Sequence, residues 1–186
     1  MRGHTHAILG LAGALALDGV MPFLPSAFVP LAGALSSAVV GGLAPDIDSD
    51  ESKARRMTGT NRRSGLLGRL ASLVLPRHRG ITHEPVALIL LAALAAWLRH
   101  PAVSAFAVGY ATHLAADALT VGGIPCFGRR LHLLPRWSRI TTGSAAEHLL
   151  AASVCVWLGA EGMKGWGMDG RTLSIVWRDI LGLAGF

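Results

Sequence analysis

Four short polar signatures stand in an otherwise apolar chain: His4-Thr5-His6, Asp46-Ile47-Asp48, His78-Arg79-Gly80-Ile81-Thr82-His83 and His113-Leu114-Ala115-Ala116-Asp117. Neutral imidazole nitrogens and carboxylate oxygens are the donors that a divalent, zinc-like cation takes. Five of the eight histidines fall in these signatures, so the candidate chemistry is concentrated there. If the four converge in space, they form a metal site of hydrolytic type.

Each signature has its own reading. His113 and Asp117 are spaced i, i+4, which sets them on one helix face about 6 Å apart at Cβ; a structural His–Asp hydrogen bond is the plainer alternative. Asp46-Ile47-Asp48 follows Gly41-Gly42-Leu43-Ala44-Pro45, a helix end. Alternate residues of an extended turn point to opposite sides, so one aspartate can ligate while the other bridges a second ion, orients a histidine or holds water. The pair could also be a solvated acidic loop. His78 and His83 reach across Gly80 from a loop and a helix start. Arg79 is always cationic and cannot ligate, but it suits a phosphate oxygen or developing negative charge; a basic loop on lipid headgroups is the rival. Thr82 could cap the following helix. His4 and His6 are weaker alone, being terminal. Asp18 is a poor candidate, and His100, His132 and His148 lack partners at ligand spacing. Glu84 and Glu147 stand close enough to these motifs to leave their part open.

The elements that must position these groups are uncharged apolar runs, read as helices over 6–18, 28–45, 84–99, 102–121 and 146–160. Pro45, Pro85 and Pro101 mark their ends, and Ser144-Ala145-Ala146-Glu147 matches a capping box. The glycine-rich stretch 159–170 reads as a loop and 171–186 as a last amphipathic helix. The chain, 52% hydrophobic and 15% charged, is far less charged than the roughly 25% of a soluble domain. It reads as a single domain over 1–186, with the motifs in 4–150. Cys126 and Cys155 lie apart in apolar settings and are expected as buried free thiols, which excludes a cysteine zinc site.

The net charge of +6 is concentrated in two arginine-rich stretches, between Lys53 and Arg79 and between Arg129 and Arg139. Several runs are shorter than the roughly 20 residues of a full span, so a soluble bundle is a fair rival. Yet the runs are apolar all round, and alternating spans return both arginine stretches to the cytoplasmic side. We therefore expect an all-α, membrane-embedded, multi-pass bundle of about five helices, with the metal site at the cytoplasmic ends. A signal-peptide reading of residues 1–20 competes.

The order of His6, Leu43-Ala44-Pro45-Asp46-Ile47-Asp48, His78 to His83 and Gly109-Tyr110-Ala111-Thr112-His113 through Thr120 resembles the YdjM family, bacterial and archaeal inner-membrane proteins described as metal-dependent hydrolases. The resemblance extends through Gly123-Ile124-Pro125 and Thr142 to Glu147. It implies a metal site of His6, Asp46, Asp48, His78, His83, His113 and Asp117. The family's third motif continues with serine where Glu84 stands here, a departure that touches the local cap and not the ligands. A remoter likeness is to zinc-dependent phospholipase C and single-strand nucleases, whose later ligand set has no clear counterpart after Asp117. The expectation is one or two divalent ions, zinc by preference, acting on a phosphoester or lipid-like substrate at the membrane. Asp48 would serve as base and Arg79 as charge stabiliser. A non-enzymatic membrane protein that binds or moves metal is the alternative. A nucleic-acid binder is the weakest reading, because the 53–79 stretch has no aromatic residue for stacking.

Overall fold

The computed structural model describes residues 1–26, 28–48 and 81–165. Five α-helices carry the described residues: α1 (Gly3–Asp18), α2 (Phe28–Leu43), α3 (Pro85–Leu98), α4 (Pro101–Ala118) and α5 (Ala145–Gly165). The chain forms two compact units, residues 1–151 and residues 152–186. Of the second unit, only the helical stretch 152–165 is described.

Local chemistry sets the helix ends. Asp18 closes α1 and accepts hydrogen bonds from the Phe23 and Leu24 amides at 2.7 Å each, which fixes the turn toward α2. At the end of α2, Pro45 has no amide hydrogen to continue the ladder, and the chain tightens into a 3₁₀ turn over Ala44–Asp48. Pro85 and Pro101 each occupy a first helical turn, where the missing N–H costs nothing. Between α3 and α4 only Arg99 and His100 remain. Arg99 is left-handed (φ 51°), and the His100 side chain caps α4 by accepting from the Ala102 amide.

Helices α1, α2 and α4 pack against one another through small residues: Ala14, Ala34, Ala38 and Ala105 form one buried cluster. At two crossings the backbones touch. A Cβ on Gly109 would collide with the Ala38 carbonyl oxygen, and one on Gly42 would lie 2.6 Å from the His6 carbonyl oxygen. Any side chain there would push α2 off its neighbours. A second cluster of Tyr110, Leu114, Ala118 and Ile124 holds α3 and a short hairpin onto α4.

That hairpin was not expected from sequence. Strands β1 (Ile124–Cys126) and β2 (Arg129–Leu131) pair antiparallel, joined by Phe127 (φ 47°) and Gly128 (φ 77°). Two positive-φ residues are what a two-residue type I′ turn requires. The chain then returns to the end of α4 through hydrogen bonds from the Leu133 amide to Ala118 and from the Ile140 amide to Leu119.

Three expectations need correction. No described helix is long and apolar enough to cross a membrane: α3 is apolar but has 14 residues, about 21 Å at the helical rise, and the longer α4 carries His113 and Asp117. Helix α5 continues to Gly165 where a loop was expected from 159. Interior glycines cost only about 1 kcal/mol each, and Leu158, Ala160, Glu161 and Lys164 are good helix formers. The cysteines are free but not buried, Cys126 being half-buried on a hairpin with one covered face and Cys155 exposed. The segment 171–186 lies outside the described residues.

The packing makes a paired prediction for thermal unfolding. Gly109→Ala should lose about 1–3 kcal/mol to overpacking. Gly33→Ala, a helical position with nothing within 4 Å, should be neutral or gain up to about 1 kcal/mol. Equal behaviour of the two variants would contradict the backbone contact.

Candidate metal centre

Four elements bring five of the expected donors into one pocket. His6 comes from the first turn of α1, Asp46 from the 3₁₀ turn after α2, His83 from the 3₁₀ turn Ile81–His83 that leads into α3, and His113 and Asp117 from the last turns of α4. His6, His83, His113 and Asp117 are buried, whereas Asp46 keeps 24% of its side-chain surface exposed. The His6 and His113 rings stack with centroids 3.7 Å apart, and His83 meets His113 edge-on at 5.2 Å. Asp117 Oδ1 lies 3.5 Å from His6 Nε2, and its Oδ2 lies 3.8 Å from His83 Nε2.

Hydrogen-bond partners determine which imidazole nitrogens carry protons. His113 Nδ1 lies 2.7 Å from the Gly42 carbonyl oxygen, which can only accept, so Nδ1 is the donor. Thr82 Oγ1 donates to the Pro45 carbonyl at 3.1 Å and lies 3.3 Å from His83 Nδ1, which ties that ring to the turn after α2. The Nε2 atoms of His83 and His113 both point into the pocket and are 3.3 Å apart. Burial holds the His113 imidazole down to about 3; the neighbouring His6 ring adds to this, while the Gly42 carbonyl and Asp117 oppose it. A proton on one Nε2 or a cation between the two satisfies such a pair in a buried pocket.

The spacing suits such a cation. His83 Nε2, His113 Nε2 and Asp46 Oδ1 form a triangle with sides of 3.3, 3.8 and 3.8 Å. Its equidistant point lies about 2.1 Å from each corner, the length of a zinc–nitrogen or zinc–oxygen bond. The triads His6–Asp46–His113 and His83–His113–Asp117 each place their donor atoms within 4.8 Å of one another. A further observation fits a cation: among the described residues, neither buried nitrogen of His6 has a hydrogen-bond partner.

The remaining candidates fall elsewhere. His78 and Arg79 lie outside the described residues, as does the side chain of Asp48, whose backbone ends the 3₁₀ turn. His4 is exposed near His148, Glu84 Oε2 accepts from the Phe127 amide at 3.4 Å, and His132 Nε2 meets the Val121 carbonyl. Thr82 does not cap α3, whose N-cap is Glu84; its hydroxyl links Pro45 to His83, and its carbonyl accepts from the Tyr110 hydroxyl.

Glu147 was read as a helix cap and does more. Its carboxylate accepts from the Arg2 amide at 2.6 Å, the Thr5 hydroxyl at 2.8 Å and the Gly143 amide at 2.7 Å. It therefore fixes the start of α1, one residue from His6. The capping-box match concealed this role, because the pattern already accounted for the glutamate locally.

The model of the YdjM inner membrane protein family matches residues 1–169, and the chain belongs to that family. No curated protein and no solved structure matches it.

Burial by itself would raise the Glu147 carboxyl, but the Arg2 and Gly143 amides and the Thr5 hydroxyl outweigh it and hold it at about 2, against 4.5. A depressed carboxyl stabilises the fold fully above pH 4.5 and loses that contribution as the pH falls toward 2. The stability gap between wild type and Glu147→Gln in chemical unfolding should therefore be widest near neutral pH and shrink through that window. A gap that does not change with pH would count against an ionised anchor.

Proposed function

We propose that this YdjM-family protein is a metal-dependent hydrolase of the inner membrane, built around one divalent ion. His83, His113 and Asp46 would hold the ion, with Asp117 and His6 beside them. The convergence of two imidazole Nε2 atoms 3.3 Å apart with Asp46 Oδ1, 3.8 Å from each, carries this reading, because one ion at that point meets imidazole and carboxylate donors at once. One ion is the better count for the described donors. His113 Nδ1 is committed to Gly42, so both triads draw on the same Nε2, and one lone pair serves one ion. Imidazole and carboxylate donors without sulfur favour zinc.

When bound, such an ion supplies Lewis acidity, lowering the pKa of water toward neutrality and polarising a phosphoryl or carbonyl oxygen. The side chains around it divide the other tasks. Asp46, the one donor of the five with appreciable exposure, is the donor that water reaches and would accept a proton there. His6 Nε2, 3.5 Å from Asp117 Oδ1, can hold a proton against that carboxylate. Gly42 and Thr82 keep the His113 and His83 rings turned toward the pocket, as outer partners of metal ligands do. A phosphoester or lipid-like substrate on the cytoplasmic side is supported by the membrane family and by the arginines from 129 to 139. Asp48 and Arg79 keep their proposed parts as base and charge stabiliser.

Full-length protein in detergent should contain about one ion per chain by elemental mass spectrometry, and His113→Ala should reduce this to background. Thr82→Val should bind the ion about 10–100-fold more weakly in chelator competition, because His83 loses its orienting partner. Metal content unchanged by His113→Ala would remove the basis of the reading. Metal-loaded protein that hydrolyses neither phospholipids nor phosphomonoesters would leave metal binding without catalysis, the non-enzymatic alternative.

A further inference from the structure

The 29 residues between Asp117 and Glu147 contain no acidic side chain and four arginines. They include the hairpin and a 3₁₀ turn over Arg136–Ser138. We propose that this surface docks onto anionic phospholipid headgroups, with Phe127 and Trp137 inserted at the interface. The inference is independent of the metal reading and takes only the inner-membrane family as its setting.

Two aromatic residues of this stretch stand out from the surface: Phe127 is 80% and Trp137 88% exposed. Large aromatics left in water are costly, and tryptophan is the residue most at home at a bilayer interface. Phe127 is also held at φ 47° in a turn position that favours glycine or asparagine. A bulky side chain at positive φ is a local strain, here at the exposed tip of the hairpin. Leu133, between the two in sequence and 59% exposed, adds aliphatic surface.

The charges match the apolar groups in place. Arg129, Arg130 and Arg136 are exposed. Arg130 and Arg139 donate to the Gly122 and Leu134 carbonyls, which orients them without neutralising them. Arg129 and Arg136 have no ion-pair or hydrogen-bond partner among the described residues. Arginine beside interfacial aromatics is a headgroup-binding arrangement, in which phosphate oxygens take the guanidinium hydrogens. Aromatics with arginine also suit single-stranded nucleic acid, but stacking on bases gives no role to an exposed leucine, and the family is one of membrane proteins.

Docking there would set the metal centre at headgroup depth. The Phe127 amide contacts the carboxylate of Glu84, the neighbour of His83, and the Leu133 amide is bonded to Ala118, the neighbour of Asp117. A substrate entering at the phosphate level of the bilayer would have little distance to travel.

The test is tryptophan quenching of the full-length protein reconstituted in vesicles of phosphatidylcholine with brominated phosphatidylglycerol or, separately, brominated phosphatidylcholine. Wild type should lose a quenchable component when Trp137 becomes Phe. That component should be several-fold more sensitive to the anionic lipid, and the preference should disappear in the Arg129→Gln/Arg136→Gln double variant. Identical quenching of wild type and Trp137→Phe would overturn the proposal. So would equal sensitivity to both lipids in the wild type. A Trp137 response to single-stranded oligonucleotide at physiological salt, with none to lipid, would overturn it in favour of a nucleic-acid surface. Circular dichroism of these exposed-site variants separates loss of docking from loss of fold.

Discussion

Histidine 113 is held between two backbones, and the rest of the site depends on that contact. Its Nδ1 donates to the carbonyl of Gly42 on α2 while its ring stacks on His6 of α1. Both contacts require α1, α2 and α4 to approach to backbone distance, and Gly42 and Gly109 permit it. Small residues in the core thus serve the chemistry directly. They hold three helices close enough for side chains as short as imidazole and aspartate to converge from separate elements, and protein interiors transmit such spacing with little slack.

Convergence carries an electrostatic cost, which sets the roles of the surrounding groups. Buried polar atoms are unfavourable unless paired. Gly42 and Thr82 satisfy one nitrogen on each of two rings, and Met1 meets one oxygen of Asp117. Among the described residues, His6 has no hydrogen-bond partner at either nitrogen. At the centre of the pocket the Nε2 atoms of His83 and His113 face each other. Glu147 works from outside it, tying the Arg2 amide and Thr5 to the start of α5 and so fixing the direction from which His6 enters.

Much of this was legible in the sequence, for reasons that differ by element. The apolar runs and their prolines marked the helices to within a few residues, except at the end of α5, because proline and the loss of apolar character act locally. The i, i+4 pair His113 and Asp117 was readable because helix geometry alone places both on one face. Asp46 and His83 sit on 3₁₀ turns, whose single-turn length leaves no periodic pattern, and the motif order rather than local spacing identified them. The hairpin was hidden because Phe127-Gly128 is a poor match to the preferred turn residues. Glu147 was hidden for the opposite reason, since a local capping pattern explained it too well. Full spans were expected because apolar character was weighed above length: α3 is apolar and largely exposed but has 14 residues, and the longer α4 carries His113 and Asp117.

The central claim is that the pocket holds one ion between histidine nitrogens and carboxylate oxygens. X-ray absorption at the metal edge of the purified, zinc-loaded protein tests it most directly. The account predicts a shell of nitrogen and oxygen at about 2.0–2.1 Å, with the outer-shell scattering of at least two imidazole rings and no sulfur. A sulfur shell near 2.3 Å, or a shell of oxygen alone without imidazole scattering, would contradict it.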